Sequence, residues 1–154
     1  MVWKEGDMKN VVTKGLSQCL AETYALYLNT QKCHWNVEGS NFASLHRMFE
    51  EEYEILEDYV DVLAERIRGL GAYAPGSFVE FEELSNVPQI EGLQLLPEKM
   101  IKILLKGYEA LIHSMKETIE LAENEGDNGT ADILLGQIEQ HDKTMWMLRS
   151  TIKE

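Results

Sequence analysis

The chain has 154 residues, about one domain's worth, and at 44% hydrophobic it has enough apolar material to bury a single core, so one domain over 1–154 is expected. Its 27 acidic against 14 basic residues give a net charge of −13, which opposes direct binding to nucleic acid and suits metal cations or plain solubility. No uncharged apolar run approaches the roughly 18 to 20 residues needed to span a bilayer, and the start, "MVWKEGDMKN", lacks the apolar stretch of a signal peptide, so a soluble cytoplasmic protein is expected.

Three prolines against plentiful Leu, Glu, Met, Ala and Lys favour long helices over short strands. From Val11 to Val37 the apolar residues Val12, Leu16, Leu20, Tyr24 and Tyr27 keep a three-and-four spacing that predicts a first helix, closed by Gly39. Cys19 and Cys33 fall in this helix roughly 20 Å apart along its axis, too far to pair with each other, and read as packing residues. Ser40 or Asn41 can cap a second helix, whose stripe is Leu45, Phe49, Tyr53, Leu56, Val60, Leu63, Ile67 and Leu70.

Residues 72–96 hold two of the three prolines and no sustained period, which predicts a long crossover with one short helix near Val79 to Leu84. Pro97 opens a third long series, Ile101, Leu104, Tyr108, Leu111, Met115 and Ile119, that stops before "NEGDNGT". In the fourth, Leu134, Ile138, His141, Met145, Leu148 and Ile152 place His141 in or beside the core as a hydrogen-bonded member. The fold class is all-α: two antiparallel hairpins joined by a long crossover between the second and third long helices, a ferritin-like four-helix bundle. An up-down-up-down bundle with a long excursion fits the same pattern.

The stretch "CHWNVEGSNFASLHRMFE" carries the chemistry. His34 lies six residues before Ser40 and His46 six after it, so closing the hairpin brings both rings to a similar height, where two neutral imidazoles can share iron or zinc. On the second helix His46, Glu50, Asp61 and Glu65 fall on one side, away from the apolar stripe, with Glu54 and Asp58 in the same sector. Glu50 and Asp61 are eleven residues, or roughly 16 Å, apart, beyond the reach of one ion or one close pair of ions. Each end alone is a half-site: His34, His46 and Glu50 at one, Asp61 and Glu65 at the other. A second copy of this helix packed antiparallel by a two-fold axis would complete both. The Glu-x-x-His pairs of di-iron bundles are missing, since the residues three before the histidines are Gln31, Ala43, Ala110 and Ile138.

"HWNVEGSNFASLH" followed by "DVLAER" resembles the signature of the Dps family, the miniferritins. His34, Trp35, Asn36, Gly39, Asn41, Phe42, His46, Glu50, Asp61, Glu65 and Arg66 match in register, and weaker similarity covers nearly the whole chain. Glu50 departs from the pattern, standing where the family more often has Asp. The resemblance implies a hollow dodecamer that oxidises Fe(II), preferably with hydrogen peroxide rather than oxygen, at a centre on the two-fold interface, and stores the ferric mineral inside. His34, His46 and Glu50 would then bind iron from one subunit, with Asp61 and Glu65 of the partner completing the centre.

The resemblance also places Asp127 and Asp132 at acidic pores that admit iron, although carboxylates at the start of a helix stabilise it in any case. Trp35, beside His34, is placed to quench a stray oxidising equivalent or to pack an interface. The run "EEEYEILED" offers carboxylates for mineral nucleation. Some family members compact DNA through a lysine-rich tail, but the first ten residues here balance Lys4 and Lys9 against Glu5 and Asp7, so DNA binding is not expected. A structural zinc site is disfavoured by the mixed nitrogen and oxygen donors.

Overall fold

A computed structural model describes residues 11–153; the first ten residues, with the balanced charges of Lys4, Glu5, Asp7 and Lys9, and Glu154 lie outside the described residues. Among the described residues five helices follow in order: α1 Val11–Asn36, α2 Phe42–Gly69, α3 Phe78–Leu84, α4 Pro97–Asn124 and α5 Asn128–Thr151. Four of them are the long helices read from the apolar spacing, and α3 is the short helix inside the crossover.

The helices end where the backbone is made to turn. Gly39, at φ 115, takes a left-handed conformation that a side chain would resist, and this tightens the α1–α2 connection to a few residues. At the other end of α2, Gly71 at φ 91 lets the Ala72 N–H reach back to the Ile67 carbonyl, satisfying a last-turn acceptor. Asn41 occupies the N-cap of α2 without a side-chain capping bond, whereas Asp127 caps α5 by accepting from the Thr130 N–H at 3.1 Å.

Contacts across the bundle settle its topology. Gly15 sits against Thr118 and Leu26 against Gly107, so α1 runs antiparallel to α4. Thr151 meets Met48 and Arg66 meets Thr130, so α5 runs antiparallel to α2. With α1 and α2 forming a tight hairpin, α2 and α4 are parallel, and residues 70–96 must run the length of the bundle. This is the ferritin-like arrangement and excludes the up-down-up-down alternative. The crossover is pinned to α1 as it passes: Glu22 accepts from the Asn86 N–H, Asn29 bonds Pro88 and Ile90, and Lys32 donates to the Ile90 carbonyl.

The core runs along the axis, with Leu16, Leu20, Leu26, Phe49, Leu56, Leu63, Leu104, Tyr108 and Leu111 essentially inaccessible. Truncating such a leucine to alanine typically costs about 2–5 kcal/mol, and these residues hold the helix faces in register. Cys19 and Cys33 are free and buried, and burial pushes both thiols up to about 12, consistent with packing roles. His141 is buried as expected, between the rings of Tyr59 and Tyr108, but its Nε2 has no hydrogen-bond partner. Desolvation instead keeps the ring neutral, lowering it to about 4. No helix among the described residues is long and apolar enough to cross a membrane.

Candidate metal centre

His34 lies in the last turn of α1 and His46 in the second turn of α2, and the short connection sets them face to face. Their rings stack with centroids 3.8 Å apart and planes 11° from parallel. Each ring is tied to the other residue's main chain: His34 Nδ1 is 2.7 Å from the His46 carbonyl oxygen, and His46 Nδ1 is 2.7 Å from the His34 carbonyl oxygen. A carbonyl can only accept, so both Nδ1 atoms carry a proton, and in the neutral ring Nε2 is then the nitrogen left with a lone pair for a metal. That tautomer and fixed orientation are what an imidazole ligand requires. The exchange also satisfies the carbonyl of His34, one of the end groups that α1 cannot pair within itself. Phe42 lies over His46 at 5.0 Å, and Tyr53 presses edge-on against His34 at 5.3 Å.

Glu50 follows His46 by one helical turn and is half-buried, on the same side of α2. Asp61 and Glu65 sit further along, one turn apart and exposed. A hydrogen bond with Asp61 and the negative charge of that neighbour raise the Glu65 carboxyl above its ordinary range. A cation bound between two neighbouring carboxylates relieves their repulsion. The helix rise still separates Glu50 from Asp61 by roughly 16 Å. Among the described residues, no three His, Cys, Asp or Glu side chains of this one chain come together as a metal site. The five predicted ligands are thus not brought together as one site within this chain.

The remaining predicted residues fall in different surroundings. Trp35 is 62% exposed and borders a groove of about 510 Å³ shared with Leu28, Phe78 and Phe81. Asp132 is exposed on α5, but Asp127 is engaged: its carboxylate caps Thr130 and pairs with Arg66 at 2.7 Å. Partial burial disfavours its charge, yet the bonds from Thr130 and Arg66 outweigh that and hold the carboxyl below the usual range. Arg66 also donates to the Thr130 hydroxyl, and its guanidinium packs where any side chain at Gly129 would sit.

Within "EEEYEILED", Glu51, Glu54, Glu57 and Asp58 are exposed, whereas Glu52 turns into the core with both carboxylate oxygens unpartnered. Burial, aided by the charge of Glu51, raises Glu52 to about 8. Its spacing from Phe49 and Leu56, three before and four after, marks it as a core position that the run of acids concealed.

A ferritin-like domain family matches residues 13–154. An uncharacterized low temperature-induced protein of Nostoc is 40% identical over 139 residues, covering 90% of this chain and 78% of the relative. The DNA protection during starvation protein 2 of Bacillus anthracis is 31% identical over 147 residues, covering 96% of this chain and all of the relative. Among solved structures, the DPS protein of Vibrio cholerae O1, described as a member of a broad superfamily of ferritin-like diiron-carboxylate proteins, superimposes with a TM-score of 0.86. It is 31% identical, over 92% of this chain and 89% of that one.

Proposed function

The chain belongs to the Dps family of ferritin-like proteins, and from that premise we propose that it is a ferroxidase that stores iron in a hollow homo-oligomer. Membership in a ferritin-like family supports iron storage in general terms; the particular oxidant, the shared centre and the dodecamer are our reading. The observation that carries it is the reciprocal bonding of His34 and His46, which ties both Nδ1 atoms to main-chain carbonyls and makes Nε2 the ligating nitrogen of each neutral ring.

Fe(II) is the substrate. His34, His46 and Glu50 of one subunit face Asp61 and Glu65 of its two-fold partner, so each interface holds two centres. Neutral imidazoles suit Fe(II), while the carboxylates neutralise the charge that grows as Fe(III) forms. Two Fe(II) each give up one electron to hydrogen peroxide, which takes two protons and leaves as two water molecules. Drawing both electrons in one encounter avoids hydroxyl radical. The exposed acids of α2 and α5 then offer oxygen donors to the ferric product.

The test is light scattering on the purified protein followed by Fe(II) oxidation under peroxide and, separately, under oxygen. An assembly of about twelve chains is expected, built on closed symmetry, with two Fe(II) oxidised per peroxide and a slower reaction with oxygen. Oxidation no faster than the protein-free blank would overturn the reading. The name of the Bacillus relative raises DNA protection as a second reading. A net charge of −13 opposes it, and retention of plasmid by the oligomer in a low-salt gel shift would reverse that order.

A further inference from the structure

The stacked imidazoles stand at one end of an unbroken series of ring contacts. Tyr53 lies 5.3 Å from His34, Tyr27 lies 5.9 Å from Tyr53, and Tyr24 lies 5.6 Å from Tyr27, all centroid to centroid. At the far end Tyr24 and Tyr27 line a cavity of about 600 Å³ whose wall also includes Glu57, Asp58 and Asp61. The series therefore starts on ligands of one half-site and ends in a cavity bordered by a carboxylate of the other. All three rings are half-buried phenols, and phenol is a side chain that can lose one electron and a proton. Glu57 lines the same cavity as Tyr24 and Tyr27, which places a carboxylate that can take a proton beside the series.

We propose that Tyr53, Tyr27 and Tyr24 form a one-electron relay joining the two half-sites carried by each chain, so that the two centres of a dimer exchange oxidising equivalents. This rests on the shared-centre reading above. Its use lies in partial loading. A centre holding a single Fe(II) can give peroxide only one of the two electrons it needs, and the O–O bond would break to water and hydroxyl radical. With the relay, a tyrosine supplies the second electron and passes its phenol proton to Glu57. Peroxide, with two protons from solvent, leaves as two waters. Fe(II) at the neighbouring centre then reduces the tyrosyl radical, which recovers its proton from Glu57. The sum is two Fe(II) oxidised and one peroxide reduced, with each iron in a different centre.

The experiment loads the assembled oligomer anaerobically with one Fe(II) per centre, mixes it with peroxide, freezes it within milliseconds and records the electron paramagnetic resonance spectrum. A tyrosyl radical is expected, narrowed when the protein is grown with ring-deuterated tyrosine. In Tyr27→Phe and Tyr53→Phe oligomers of verified mass the signal should be lost, and hydroxyl adducts of a spin trap should rise. Tyr73→Phe is the control, because Tyr73 is exposed over Arg68 and lies off the series. Fe(II) oxidation at saturating iron is measured on the same wild-type sample. Failure to oxidise there would overturn the function itself. Normal oxidation with no tyrosyl signal, a tryptophan radical in its place, or a signal unmoved in both Phe variants would overturn the relay alone. Should the variants fail to assemble, the wild-type spectrum with and without deuterated tyrosine still decides, since an unnarrowed radical overturns the relay.

Discussion

The two ends of α2 carry half-sites prepared in opposite ways. At the His46 end, two buried or half-buried rings are stacked, tautomer-fixed and bonded into each other's main chains. At the Asp61 end, two exposed carboxyls sit one turn apart, and Asp61 disfavours the charge of Glu65. The first end is organised by folding itself. The second holds an electrostatic conflict that a cation relieves. Damage at the imidazole end should therefore cost structure as well as binding, whereas damage at the carboxylate end should cost binding while easing the apo protein.

The sharpest break is His46→Ala. It removes a ligand and leaves the His34 carbonyl, at the end of α1, without its ring donor. Loss of an outer partner of a metal ligand already costs about 10- to 100-fold, so loss of the ligand should lower the rate of Fe(II) oxidation by more than about 100-fold. The unpaired carbonyl should also lower unfolding stability by about 1–3 kcal/mol. Stopped-flow oxidation and denaturant titration check the two effects separately.

His141 sharpens the comparison, because it is a more deeply buried imidazole that lacks a partner for Nε2. Burial lowers it from the ordinary 6.5 to about 4. The native state thus binds fewer protons than the unfolded chain between those values, and stability falls as pH drops from 6.5 to 4. The total is on the order of 3 kcal/mol at 1.36 kcal/mol per unit. His141→Gln cannot titrate and should show a flatter dependence over that window. Chemical denaturation at several pH values gives both slopes, and equal slopes would remove His141 as the cause.

At the other end, Asp61→Asn removes one of two competing charges. Fe(II) affinity should fall on the order of 10-fold, without loss of apo stability, and the Glu65 carboxyl should titrate closer to its ordinary range. Carboxyl-selective NMR titration reads that shift directly. A destabilised apo oligomer would mean that the pair is structural. The smallest effect belongs to Glu50. Glu50→Asp should keep most of the activity, since it retains the donor, while Glu50→Gln should weaken Fe(II) binding with assembly intact. If Glu50 were merely a surface acid, either change would stay within about 0.5 kcal/mol and leave oxidation unmoved.

Most of the fold was legible in residue spacing because the helix stripes are regular and their ends carry glycine or proline. The direction of α4 was legible only through the length of the crossover, since the apolar pattern of a helix is the same whichever way it runs, and cross-helix contacts such as Gly15 with Thr118 settle it. For the candidate site, counting from the turn placed His34 and His46 level, but no one-dimensional pattern expresses a ring bonded to a distant carbonyl. The place of Asp127 at the start of a helix suggested its stabilising role there, but not its pairing with Arg66, 61 positions away. Glu52 was lost in a run of acids whose other members face outward. The tyrosines of α1 read as stripe residues, and their contact with Tyr53 exists only once α1 and α2 pair.

The central claim is that each centre draws its ligands from two chains, and mixed oligomers test it most directly. His46→Ala and Asp61→Ala subunits, each inactive alone, are dissociated, mixed and reassembled, with mixing verified by native mass spectrometry. At a mixed interface one centre carries both lesions and the other carries neither, so part of the rapid Fe(II) oxidation should return, in proportion to the fraction of mixed interfaces. Verified mixing with no recovery would mean that the ligands act within one chain, and the shared centre would have to be abandoned.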